Sequence, residues 1–285
     1  MPRVKSPLCP GMLLVGFDSA WTEIHSGGIV GIIYRTDGSC RDLGPPVIAD
    51  FRKAEALILN WQSEQSPTAT IVLLDQPTIV RNATGQRPVE NLVCSSVSLR
   101  YGGMQPSNTT KSTMFGKEAP MWKFLRRFGG AADPTTQVTN TRVFETYPVL
   151  AMIALCWTIT DQRHTGRLPK YNPDRKSFAI SDWRHVCALT CEFFKKRKLT
   201  TIAEWVREAA EKHSPRKSDQ DMLDACLCLL VALHLAERKD CLMVGNLDSG
   251  YIIVPSGDAL RVELETRCHK TGREPSQWVR NFRMI

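Results

Sequence analysis

The sequence predicts an α/β protein, and three observations carry that expectation. Short apolar runs end at or beside a carboxylate at residues 12–18 (MLLVGFD), 69–75 (ATIVLLD) and 141–146 (TRVFET), and runs of that length bounded by turn residues read as buried strands. Between the first two lie a turn signal and a stretch of helical spacing, so the second returns by a crossover and pairs parallel to the first. Residues 219–238 are Ala/Leu-rich with acids in the first turn, as a helix N-terminus favours.

In chain order, 27–34 (GGIVGIIY) and 40–48 flank Thr36-Asp37-Gly38-Ser39 and predict a hairpin. Ala54, Leu57, Ile58 and Trp61 recur at three- and four-residue steps, which predicts a helix over 51–62. Residues 78–118 are polar and rich in Gly, Ser, Thr and Asn. A connection that long without periodicity reads as an insertion-like functional loop or lid. A short helix is expected over 119–128, then the third strand. Helices over 174–198 and 201–212 make up a helical region of about 174–212. The long helix, a strand at 251–255 (YIIVP) and a basic tail complete the chain. With no internal repeat or flexible linker, 1–285 reads as one domain.

The composition is 42% apolar and 23% charged, which excludes disordered, collagenous and membrane-spanning classes. The apolar stretch 12–15 is too short for a secretory signal, and the longest apolar run, 226–236, is about half a membrane span. Ten cysteines are scattered without a CxxC pair, so a reduced, cytoplasmic protein is expected. His185, Cys187 and Cys191, and the CxC of Cys226 and Cys228, lack the paired short spacings of a closed zinc site. Lys and Arg number 37 against 29 Asp and Glu, a net charge of +8, compatible with a nucleic-acid partner.

The chemistry is expected in the carboxylates. Asp18, Asp75 and Glu145 close three strands, and parallel neighbours would turn those ends into one crevice, where open α/β sheets place their sites. Asp221 and Asp224 add an i,i+3 pair on one helix face. Buried acids need a counter-charge or a metal. An all-oxygen set suits Mg²⁺ or Mn²⁺, and two such ions can clamp the attacking and leaving oxygens of a phosphodiester. Plainer roles stand beside this one. Asp18 could be a turn residue, Asp75 a turn cap and Asp221 a first-turn dipole residue, and Glu145 could pair with an arginine such as Arg142.

Basic and polar candidates surround these acids. Lys123, Arg126 and Arg127 share a helix face beside Trp122, Phe124 and Phe128, either a phosphate-tracking face or a solvated one over a core stripe. Arg87 in GQRPVEN, with Lys170 and Tyr171 in PKYNPDR, could neutralise a scissile phosphate. Ser19, the Cys94-Ser95-Ser96 run, His164 and His185 show no partner in sequence that would make a nucleophile or base.

GFDSAW with Asp18, LLDQP with Asp75, FETYP with Glu145 and SDQDMLDACLCLL with Asp221 and Asp224 resemble the domain-of-unknown-function family 429. PKYNPDR and GYIIVP follow in the family's order, so the resemblance covers nearly the whole chain. That family is predicted to be an RNase H-like nuclease. The resemblance implies an RNase H-like mixed five-stranded sheet of order 3-2-1-4-5 flanked by helices, with Asp18 at the end of the central strand. It implies metal binding by Asp18, Asp75, Asp221 and Asp224, with Glu145 a further catalytic member, and it puts Arg87, Lys170 and Tyr171 beside the crevice. A Mg²⁺- or Mn²⁺-dependent nuclease is therefore expected, with a non-catalytic RNase H-like module gripping nucleic acid or protein as its rival. Phosphotransfer of the sugar-kinase type is disfavoured, since no second strand unit and no Gly-rich phosphate loop follows Asp18.

Overall fold

The computed structural model describes residues 11–19, 21–22, 25–94, 104–130, 133, 141–162 and 166–284. Its centre is β1 (Gly11–Asp18), buried on both faces, which is why its sequence is a continuous apolar run rather than an alternating one. On one side β1 pairs antiparallel with β2 (Gly27–Arg35), and on the other it runs parallel to β5 (Ala69–Leu74). Parallel to β5 lies β6 (Thr141–Glu145). The crossover to β5 is α1 (Phe51–Gln65), capped by the Asp50 carboxylate, which accepts from the Lys53 N–H at 2.7 Å.

The second arm of the expected hairpin is broken in two. Residues 40–48 form β3 (Cys40–Asp42) and, with Ala49, β4 (Val47–Ala49), both antiparallel to β2. Between them lie Gly44, at φ 123°, and Pro45 and Pro46, which have no N–H to give a ladder. The sheet thus has six strands in the order β3-β2-β1-β5-β6, with β4 also on β2. This corrects the five-stranded 3-2-1-4-5 order that the resemblance implies.

Residues 78–118 hold α2 (Pro88–Val93) and α3 (Ser112–Phe115). Residues 95–103, with Ser95 and Ser96, lie outside the described residues, as does His164. There follow α4 (Pro120–Arg127), α5 (Pro148–Ala154), the antiparallel neighbours α6 (Ile180–Lys195) and α7 (Thr200–Glu211), and α8 (Lys217–Ala236). The C-terminal part is more than a basic tail. β7 (Cys241–Asn246), β8 (Gly250–Pro255) and β9 (Val279–Phe282) make a second sheet of order β8-β7-β9. It carries α9 (Asp258–Lys270) and α10 (Pro275–Trp278). The Thr146 hydroxyl ties it to the end of β6 by donating to the Ile253 carbonyl at 2.7 Å.

Two apolar cores sandwich the main sheet. Leu13, Val15 and Phe17 face α1 and α4, while Leu14 faces α6, α7 and α8. α8 lies almost in contact with the backbone of β1 and β2, because glycine meets it there. A Cβ on Gly16 would stand 2.1 Å from the Ala225 carbonyl oxygen, and one on Gly28 would stand 2.5 Å from that of Asp221. These two approaches set the height of α8 above the end of β1. Among the described residues no helix is long and apolar enough to cross a membrane.

Candidate active site

The carboxyl ends of β1, β5 and β6 open into a crevice of about 540 Å³ that all five expected acids line. Asp18 closes β1, and the Asp75 N–H donates to the Phe17 carbonyl at 2.9 Å, so the two acids stand side by side at one level of the sheet. Phase separates Glu145 from them. The register pairs Phe17 with Leu74 and Leu74 with Glu145. Alternate residues point to opposite faces, so Asp18 and Asp75 share the face that α8 covers, and Glu145 is out of step by one residue.

Glu145 finds a partner there. Its carboxylate accepts from both arms of Arg87, at 2.6 and 2.9 Å, and from the Thr78 N–H at 2.9 Å. Arg87 also gives its Nε–H to Glu90 at 2.8 Å and an N–H to the Ile79 carbonyl at 3.1 Å. With 0% exposure and its guanidinium committed inward, Arg87 is surrounded as a positioning group for Glu145 and not as a contact for substrate phosphate. The arginine paired with Glu145 is therefore Arg87, in place of the suggested Arg142.

From α8, Asp221 and Asp224 reach the crevice. The helix starts at Lys217, and the Asp219 carboxylate accepts the Arg216 N–H at 2.8 Å. Asp219 thus fills the helix-start role considered for Asp221, which sits two residues further in. Asp221 is paired with Lys217. Asp224 accepts from the Tyr171 hydroxyl at 2.7 Å and from the Gln220 amide. The carboxylates of Asp18 and Asp75 have no hydrogen-bond or ion-pair partner among the described residues.

The electrostatics follow from this crowding. Burial, then Asp75, Asp224 and Asp221, push the Asp18 carboxyl well above its usual range. Burial, then Asp224 and Glu145, do the same to Asp75. Burial carries Asp224 up to about 7, although Lys217 and the Tyr171 hydroxyl pull it back. Burial alone would lower Lys217, but Asp18 and Asp221 outweigh it and hold its ammonium above the usual lysine value. Glu145 is raised by burial, against the pull of Arg87. The crevice crowds five carboxyl groups together, with the Lys217 ammonium paired to one of them.

The expected four-carboxylate metal centre is not preassembled. Among the described residues no group of three or more His, Cys, Asp or Glu stands ready to hold an ion. The physical reason is local: like charges stand off from one another, Lys217 holds Asp221, and Tyr171 with Gln220 holds Asp224. The donor chemistry nevertheless suits a hard divalent cation, with two partnerless carboxylates side by side and a third from α8. Gln76 Nε2 and Gln220 Oε1 are also buried at the crevice without partners, and orphaned polar atoms in a folded protein commonly await a ligand, water or ion.

The remaining candidates are dispersed. Tyr171 is buried and holds Asp224, while Lys170 is exposed and lines a side chamber of about 180 Å³ that shares Asp75 and Asp224 with the crevice. Lys123 borders a separate groove between α1 and α4, and Arg127 pairs there with Glu55 at 3.3 Å. None of the five acids lines that groove. Lys217, Gln76, Asn172 and Arg175 at the crevice were not singled out as site residues by the sequence reading. For Lys217 a signal existed in its i,i+4 spacing to Asp221.

A family model described as "Protein of unknown function (DUF429)" matches residues 23–246. No curated protein and no solved structure matches the chain.

Proposed function

The chain belongs to the DUF429 family, and from its carboxylate crevice we propose a Mg²⁺- or Mn²⁺-dependent nuclease on an RNase H-like scaffold. One observation carries this reading: the partnerless neighbours Asp18 and Asp75, at the ends of two parallel strands, face Asp224 from α8. An antiparallel hairpin running through a helical crossover into parallel strands, with an acid closing the central strand, is the topology expected of that scaffold.

Asp18, Asp75 and Asp224 would hold the metal, with Asp221 joining once Lys217 releases it. When bound, two such ions supply an activated water and charge stabilisation for the leaving 3′ oxygen. The chain's own residues do the rest. Tyr171 and Gln220 fix the rotamer of Asp224, and Arg87 holds Glu145 at the edge of the crevice. Lys217 and Arg175 are the cations that can meet a phosphate oxygen from the crevice wall. Because the acids are raised by burial and by each other, metal must displace protons from them, and binding tightens as pH rises towards about 7 and beyond.

Lys217 also favours a second reading. A lysine that neutralises the crevice is what a non-catalytic module would keep, gripping nucleic acid through its net positive charge. Incubating labelled single- and double-stranded DNA and RNA with EDTA, Mg²⁺ or Mn²⁺ separates the two. Products that need metal support the nuclease. Salt-sensitive binding without product in any metal moves the assignment to the binding module.

A further inference from the structure

Trp21 stands three residues past Asp18 and forms a wall of the same crevice. Its backbone is left-handed, with φ 65°. For a bulky side chain that is a true outlier, and such strain persists where the surroundings hold it, often at ligand clamps. The surroundings here are visible. The indole meets the buried Phe115 ring edge-on, with centroids 5.7 Å apart at 68°, and Met114 lies beside them in the same core. Trp21 is half-buried, packed against that core while it lines the crevice. Tyr147, Asn172 and Arg175 also line the crevice, and the buried Asp18, Glu145, Asp221 and Asp224 form its floor with the half-buried Asp75.

The shape restricts what can reach that floor. About 540 Å³ is the size of a pocket that encloses one small organic unit. A phosphate inside a duplex is flanked by stacked base pairs that cannot follow it into such a space. An unpaired nucleotide can, and its base then has an aromatic face available at the wall. We infer that the crevice takes an unpaired nucleotide, its base stacked on Trp21 and its phosphate above the acids, so that single-stranded nucleic acid is the substrate class. The role of the acids in this inference rests on the nuclease reading; the stacking platform does not.

The test uses the full chain in Ca²⁺ and in EDTA, with fluorescence anisotropy of short labelled oligo-dT, oligo-rU and a hairpin duplex. Trp21→Leu keeps the apolar packing and removes the aromatic face. It is expected to weaken single-strand binding by about tenfold, in keeping with the worth of one stacked base, while leaving hairpin binding unchanged. Trp21→Phe is expected to restore most of the loss.

A halogenated-pyrimidine oligonucleotide photo-cross-linked to the wild-type protein gives a result that needs no variant to fold. Label on the Trp21 peptide supports the inference, and label elsewhere overturns it. Single-strand affinity unmoved by Trp21→Leu, a hairpin bound as tightly as a single strand, or no binding of any probe would equally overturn it. Cleavage in Mg²⁺ or Mn²⁺ run alongside keeps the two readings apart. Duplex cut as fast as single strand leaves the nuclease and removes this inference, whereas Trp21-dependent binding without cutting keeps this inference and removes the nuclease.

Discussion

At the residue scale, the acids are held against their own preference. Asp18, Asp75 and Asp224 keep protons in the folded state at a pH where the unfolded chain, with an ordinary Asp value of 3.8, has lost them. Protons bound by the folded state alone stabilise it, so the metal-free protein is favoured at low pH. For Asp224 that contribution is lost as pH rises from about 4 through about 7, with a slope of up to about 1.4 kcal/mol per pH unit for each proton retained, and Asp18 and Asp75 act in the same direction. Thermal melts in EDTA across that window should show the decline, Asp224→Asn should flatten it, and Mn²⁺ should restore stability at the upper end. Arg87 presents the opposite case, a satisfied buried charge. Arg87→Met would strand Glu90 and Glu145 without their cation and should cost roughly 3–5 kcal/mol in urea unfolding; a loss below about 1 kcal/mol would show that the pair is not a structural anchor. The acids were legible in the sequence because a carboxylate closing an apolar run has few structural reasons to be there. The partner of Glu145 was not, because Arg87 lies 58 residues away in a stretch without periodicity.

At the element scale, the strands and long helices were readable where burial writes a continuous signal. β1, β5, β6 and α8 all follow apolar runs or helical spacing in the sequence. Three features were not readable, each for its own reason. The Gly44-Pro45-Pro46 break splits an arm that looks like one strand. β7 is an apolar run of only six residues behind the charged turn Glu237 to Asp240, a length at which periodicity does not tell strand from helix. α9 buries only Leu260, Leu264 and Cys268, so its charged surface reads as a basic tail. The contact of α8 with β1 depends on glycine, and Gly16→Ala tests it. With the Ala225 carbonyl 2.1 Å from the new Cβ, α8 must move outward, and the overpacking should cost about 1–3 kcal/mol or more. The same shift lifts Asp221 and Asp224 from Asp18, so metal affinity measured by titration calorimetry should fall along with the melting temperature. A normal affinity in a folded Gly16→Ala would mean that helix height does not set the site.

At the scale of the whole molecule, the net charge of +8 and the acidic crevice act in opposite senses. The basic surface attracts a polyanion, while the floor of the crevice repels it until the carboxylates are neutralised. The groove beside Lys123 and Arg127 is separate from the crevice, so Lys123→Ala with Arg127→Ala should leave cleavage within about twofold of wild type at moderate salt, where long-range attraction is screened. A tenfold loss would extend the contact surface to that face. Asp18 ends the central strand, its carboxylate has no hydrogen-bond or ion-pair partner among the described residues, and Asp75, Asp224 and Asp221 all act on it. The most direct measurement is the cleavage rate of a labelled oligonucleotide in Mn²⁺ for wild type beside Asp18→Asn, with a melting curve for each. Metal-dependent cutting is expected of the wild type, with loss of all but a trace in the variant, which should melt no lower because a crowded buried carboxyl has become a neutral amide. Equal rates in two folded proteins would overturn the role of Asp18.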